Sequence, residues 1–185
     1  MGRAVFEKDV KIDFSDALNV LEFDDNRRKE KTYGLSHCMA AVDFIVEWDK
    51  YYWFVEIKDP ETSTALSDEI RHAGCKKVID EFHSGNLISK NLAPKIKDSF
   101  IYTKLQKTID DKPIFYMVLL GISSLNEPIA NHLATKLKHG CGFFGPHNKG
   151  WESPYLRDVI VLNIAQWNRT FPHCPITRTS PPTLP

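Results

Sequence analysis

Two runs of sequence, Ala41-Val42-Asp43-Phe44-Ile45-Val46-Glu47-Trp48 and Tyr51-Tyr52-Trp53-Phe54-Val55-Glu56-Ile57-Lys58, are separated only by Asp49-Lys50. Aromatic and β-branched residues dominate both, and both are too short for globular helices, so they read as paired strands. A two-residue turn at Asp49-Lys50 pairs positions whose numbers sum to 99, and Asp-Lys, not a favoured turn dipeptide, leaves room for a shift of a residue or two. Strand alternation then sends Phe54, Glu56 and Lys58 to one face and Trp53, Val55 and Ile57 to the other. Asp43 falls directly opposite Glu56, with side chains about 5 Å apart. Two carboxylates so placed repel each other unless a cation joins them, and this pair sits among Val42, Phe44, Phe54 and Ile57. A hard divalent ion suits them: Mg²⁺ takes a few carboxylate oxygens, waters and substrate phosphate, and the Ile57 carbonyl is a candidate for one more oxygen. Lys58, facing the same way, is placed to orient an attacking water or to stabilise charge on phosphorus. Glu-x-Lys alone is commonplace on surface strands as a charge pair. The Asp on the adjoining strand, the tight hairpin and the apolar surroundings set this one apart.

Ala41-Val42-Asp43 followed by Glu56-Ile57-Lys58 resembles the signature of the PD-(D/E)XK nuclease superfamily, the restriction-endonuclease-like fold. In element order the resemblance covers roughly residues 15–120. It implies an α/β fold in which a mixed central sheet is flanked by helices, with Asp and (D/E)-x-K on the second and third strands of a meander. It further implies cleavage of phosphodiester bonds with Mg²⁺ or Mn²⁺, of DNA more than RNA. Asp43 and Glu56 would hold the metal and Lys58 would serve the water. Relatives often add a Glu from the first helix, for which Glu22 is the candidate and Glu30 the reserve. Val42 stands where the family's Pro usually precedes the Asp, and a long insert follows Lys58. Catalytically inactive members of such folds bind nucleic acid or a protein partner, which is the alternative reading. With one site per chain, cutting both strands of a duplex together would need a symmetric homodimer.

Working outward, Val10–Phe14 reads as a short strand or a lead-in to a helix, and Ser15 as the N-cap of a helix through Ala17, Leu18, Leu21 and Glu22. The charged stretch Asp24–Lys31 reads as a solvated connection, and Tyr33–Met39 as the first strand of the meander. A helix centred on Leu66–Phe82 follows, with Ser84-Gly85-Asn86 breaking it. Pro94 opens another over Lys95–Ile109, with Ile96, Phe100, Ile101, Leu105 and Ile109 facing inward. Pro113–Leu120 is a buried strand, Asn126 or Ser124 caps a helix ending near His139-Gly140, residues 140–154 form a long loop, and Asp158–Ala165 is the last strand. The expectation is a single nuclease-like domain over residues 1–179 with a flexible tail at 180–185.

The whole composition is that of a folded chain of 185 residues, 42% hydrophobic and 26% charged. Twenty-four basic residues balance twenty-four acidic ones, so no overall basic excess marks a duplex binder. The distribution is uneven: residues 1–60 carry nine basic and thirteen acidic groups, residues 113–185 six and three. Local carboxylates for a metal and local lysines for phosphate are compatible with neutrality. Lys95, Lys97, Lys104 and Lys107 are candidate phosphate contacts, and a solvated lysine face explains them equally well. No run is long and apolar enough for a membrane span, the first residues lack a signal-peptide core, and Phe6 stands where myristoylation expects Ser or Thr. A cytoplasmic location is the default. Cys38, Cys75, Cys141 and Cys174 are scattered and read as free thiols. His139, Cys141, His147, His173 and Cys174 could come together as a zinc site on folding, although their spacings match no standard finger. The segment 140–151, mixing glycines with Phe143, Phe144 and Trp151, reads either as a packed structural loop or as a nucleic-acid loop with stacking rings.

Overall fold

The computed structural model describes residues 2–24, 38–62, 67–146 and 149–179. Strands β1 (Ala4–Glu7) and β2 (Val10–Asp13) precede a meander of β3 (Asn19–Glu22), β4 (Phe44–Glu47) and β5 (Tyr52–Lys58). Helix α1 (Asp68–His83), a π-helical stretch over Leu87–Leu92 and α2 (Ala93–Leu105) carry the chain to β6 (Ile114–Leu120). Helix α3 (Glu127–Gly140) leads to β7 (Asp158–Leu162), and α4 (Ile164–Thr170) to β8 (Ile176–Arg178).

The central sheet has the order β3-β4-β5-β6-β7, and a second, three-stranded sheet has the order β1-β2-β8. β3, β4 and β5 pair antiparallel, while β5–β6 and β6–β7 pair parallel. The central sheet is therefore mixed and flanked by helices. Phe44 faces Val55 and Glu47 faces Tyr52, the register a two-residue turn requires. Apolar side chains cover both faces, as expected of strands without polar alternation. Ile45, Phe54, Tyr116 and Val118 pack beneath the π-helical stretch, α2 and α3. Phe44, Trp53, Val55 and Met117 pack against the smaller sheet and Trp167 of α4. Among the described residues no helix is long and apolar enough to cross a membrane.

The structure corrects several expectations. Residues 15–22 do not form a helix. The Ser15 N–H and hydroxyl both donate to the Asp13 carboxylate, which closes a local turn. Leu18 N–H then bonds Glu47 O at 2.8 Å, and the chain enters the sheet as β3. That strand takes the place expected for Tyr33–Met39. Residues 25–37, with the proposed start of that strand, most of the charged connection and Glu30, lie outside the described residues, as do Leu66 and the tail 180–185. Helix α2 is rotated from its apolar stripe: Ile101 and Leu105 are 47% and 76% exposed, while Ser99 and Thr103 are buried. Ser99 Oγ accepts from Val42 N–H at 3.0 Å and Thr103 Oγ donates to Ser99 O at 2.9 Å, so these small polar groups enter the core already hydrogen-bonded. β7 stops at Leu162 because Asn163 and Gln166 form a reciprocal capping box that starts α4.

One polar lock joins the two sheets near the end of β5. Arg178 donates two hydrogen bonds to Asp59, at 2.7 and 2.8 Å, and one to Asp9 at 3.1 Å. Asp59 packs so close to the backbone after β6 that a Cβ on Gly121 would lie 1.9 Å from its Oδ1. Removing one partner of such a pair leaves buried charge behind. Arg178→Ala is therefore expected to lower stability by about 3 kcal/mol, read as the urea midpoint. An unchanged midpoint would show that the lock contributes nothing.

Candidate functional site

The ladder between β4 and β5 ends at the Phe44–Val55 pair, and Asp43 continues it with its side chain. Asp43 Oδ2 accepts the Ile57 N–H at 2.6 Å, standing in for the next backbone bond. The preceding residues are tied to α2, where Asp98 accepts from Ala40 N–H at 2.9 Å and Ser99 from Val42 N–H. On the other flank Phe23 N–H bonds Asp43 O at 2.9 Å. Asp43 is thus held by three elements.

Glu56 lies in the middle strand of the sheet and is fully buried. Its Oε2 accepts from Lys95 Nζ at 2.9 Å, and the same ammonium stands 3.5 Å from Asp43 Oδ1. The two acidic groups predicted to be neighbours therefore converge on one cation, and that cation is Lys95. Glu56 Oε1 has Lys58 Nζ at 3.0 Å as an ion pair but no hydrogen bond of good geometry. Burial of the carboxylates is the dominant influence on their protonation. Desolvation, reinforced by Asp43, pushes Glu56 up to about 7 against the opposing pull of Lys95 and Lys58. Asp43 is raised by desolvation too, with Lys95 and the Ile57 N–H opposing. Desolvation pulls Lys95 down, but Glu56 and Asp43 outweigh it and the amine ends above its ordinary value. Tyr116, buried beneath the same site, is held far above its usual range by desolvation first, then by Glu56 and Asp43; its hydroxyl donates to Leu92 O at 3.0 Å.

Asp43, Glu56 and Lys58 are brought together as the sequence suggested. Ile57 also belongs, through its N–H instead of the carbonyl first considered. Lys95, expected to touch phosphate from a helix surface, instead reaches between the carboxylates from the first turn of α2, whose Ile96, Ser99 and Thr103 are buried. Asp24 is an addition: it raises both Asp43 and Lys95, although its place in a charged run made it look merely solvated. Glu22 is not part of the cluster. It lies on β3 opposite Phe44, whose side chain belongs to the other face, and it pairs with Arg3 at 3.3 Å. Lys97 and Lys107 are exposed, and Lys104 pairs with Asp111 at 2.6 Å. Glu47 accepts from Lys112 at 2.8 Å at the far end of the hairpin. The proposed zinc set does not assemble, since Cys141 and Cys174 belong to the cores on opposite faces of the sheet; His147 lies outside the described residues. Among the described residues no group of three or more His, Cys, Asp or Glu side chains is placed to hold a metal ion. No family model, curated protein or solved structure matches this chain.

The raised carboxyl has a consequence for stability. Unfolded, Glu56 loses its proton near 4.5; folded, it holds it to about 7. Between those values the unfolded chain binds fewer protons, so stability falls as pH rises through the window. In EDTA, urea unfolding from pH 4 to pH 8 should show this decline, on the order of 2–3 kcal/mol, and Glu56→Gln should flatten it. Equal slopes in the two proteins would mean that Glu56 ionises normally.

Proposed function

We propose that this chain is a metal-dependent nuclease of restriction-endonuclease-like architecture, hydrolysing phosphodiester bonds of DNA in preference to RNA. The observation that carries the reading is the convergence of Asp43 Oδ1 and Glu56 Oε2, from adjacent strands, on a single cation. The buried Glu56 Oε1, lacking a well-formed hydrogen bond, supplies a further oxygen. These donors fit Mg²⁺ or Mn²⁺, which favour carboxylate oxygens. Such an ion would lower the pKa of a bound water and neutralise charge developing on phosphate.

The chain's own groups divide the remaining work. Lys58 is 31% exposed at its side chain, against none for Glu56, so it forms the open wall of the site. There its ammonium can meet a phosphoryl oxygen or fix a water on the side from which substrate arrives. Asp43 is locked through Oδ2 by the Ile57 N–H, so that Oδ1, now beside Lys95, can ligate without rearranging the strand. Lys95 competes for the two ligand oxygens with any divalent ion that binds. The order of elements, with Asp at the start of the second meander strand, Glu-x-Lys on the third, helices and then a parallel strand, supports the family resemblance. The turn at Ser15 and strand β3, where a first helix was expected, depart from it.

The same contacts support a second reading. Lys95 and Lys58 balance the charges of Asp43 and Glu56, so the cluster is electrically complete without an added ion. That would suit an inactive module of the same architecture, binding nucleic acid or a protein partner.

A screen of duplex, single-stranded and branched DNA and RNA with Mg²⁺ or Mn²⁺ separates them. For the nuclease, EDTA abolishes cleavage, and Glu56→Ala or Lys58→Ala lowers it about 100-fold or more in proteins that remain folded. Cleavage that survives both substitutions would refute the assignment. Calorimetry adds an independent measure: Lys95→Met should tighten Mn²⁺ binding on the order of tenfold, because the resident ammonium no longer competes. Unchanged or weaker binding would place the ion elsewhere.

A further inference from the structure

We propose that the cleft between the carboxyl-terminal end of α2 and residues 141–146 and 149–157 binds a single strand of nucleic acid, its bases stacking on Trp151 and Phe144 and its phosphates meeting Lys104, Lys112 and Arg157. The cleft has a volume of about 1070 Å³, at the upper limit for a small-molecule pocket and large enough for more than one nucleotide. Trp151 and Phe144 expose 45% and 38% of their surface, yet both have partners. Trp151 Nε1 donates to Gly142 O at 2.8 Å, and its ring meets Tyr155 edge-on with centroids 6.4 Å apart. Phe144 rests on His139 at 4.7 Å and Phe143 at 5.2 Å.

The described residues on either side of positions 147–148 are tied to one another and to α3. Gly145 has a φ of 77°, and a Cβ there would lie 2.5 Å from the Gly150 backbone. Phe143 N–H bonds Lys138 O at 2.9 Å, and Gly150 N–H bonds Phe144 O at 3.1 Å. Exposed rings braced by hydrogen bonds and ring contacts form a stacking platform, since base–aromatic stacking needs presented faces.

The rim carries the complementary charge. Lys104, Lys112 and Arg157 line the cleft, Lys104 paired with Asp111 and Lys112 with Glu47. Asp111 is 99% exposed, so its ion pair with Lys104 is readily exchanged for a phosphate. Lys112 is positioned by Glu47 and by Trp48 O, at 2.8 and 3.2 Å. Aromatic faces beside cations suit unpaired bases on a phosphate backbone, whereas a duplex keeps its faces stacked inside. The cleft lies at the opposite end of the parallel strands from the acidic cluster: Ile114, which lines it, pairs with Tyr52, while Glu56 pairs with Val118. Lys104 is about 14 Å along α2 from Lys95. Binding here stands or falls independently of whether the carboxylates cleave.

The test is fluorescence anisotropy of a short labelled oligothymidylate with the full chain in EDTA, where no cleavage occurs. Binding is expected, weakening with salt. Trp151→Ala should loosen it about tenfold, while Trp151→Phe, which keeps a ring, retains most of it. Arg157→Ala, an exposed change that leaves the fold intact, should reduce the log–log salt slope by about 0.7. The proposal is overturned by no binding, or by binding that ignores both Trp151→Ala and Arg157→Ala. It is equally overturned if a duplex of the same sequence binds as tightly, or if polyglutamate of equal charge competes as well as the oligonucleotide.

Discussion

The carboxylate of Glu56, set in the middle of a five-stranded sheet with no exposed surface, is the constraint around which this fold is organised. An ionised group in that position needs compensating charge, because desolvation in a protein interior strongly disfavours it. The ammonium of Lys95 supplies part of that compensation and Lys58 another part. Asp43 opposes them, and the local balance leaves Glu56 poised between its charged and neutral forms near neutrality. No apolar residue at position 56 would call for the elaborate anchoring seen around it.

That anchoring extends well beyond the charged groups. The segment before β4 is fastened to α2 by Asp98 and Ser99, which fixes Asp43 relative to the helix that bears Lys95. The π-helical stretch ahead of α2 is tied to the sheet where Tyr116 donates to the Leu92 carbonyl. At the end of β5, Asp59 and Arg178 tie the strand to the smaller sheet. The ends of the strand bearing Glu56 and Lys58 are therefore restrained on one side by a helix and on the other by a second sheet. Supporting groups of this kind are what hold reactive side chains in a fixed arrangement.

Two surfaces of different character result. The acidic cluster is compact, deeply set and open at Lys58. The cleft beside residues 141–146 and 149–157 is wide and aromatic, with Lys104, Lys112 and Arg157 at its rim. They occupy opposite ends of the parallel strands and share α2, which sends Lys95 to one and Lys104 to the other.

The hairpin was legible in the sequence because it is local. A two-residue turn and a period of two fix both register and facing, and the pairing of Phe44 with Val55 followed directly. The buried strand at 114–120, the helices on either side of it and the proximity of Asp43, Glu56 and Lys58 come from the same short-range rules. Other features depended on partners distant in sequence. Ser15 looked like a helix cap until Asp13 and Glu47 were seen to draw the chain into a strand. The buried face of α2 could not be read from its apolar residues, since hydrogen bonds from Val42 and within the helix allow Ser99 and Thr103 inside. For the same reason Lys95 looked like one solvated lysine among several, and Asp24 like part of a charged run. Chain-local chemistry determined which carboxylates meet. Only tertiary packing decided which cation stands between them, because a helix's rotation about its axis is set by everything it packs against.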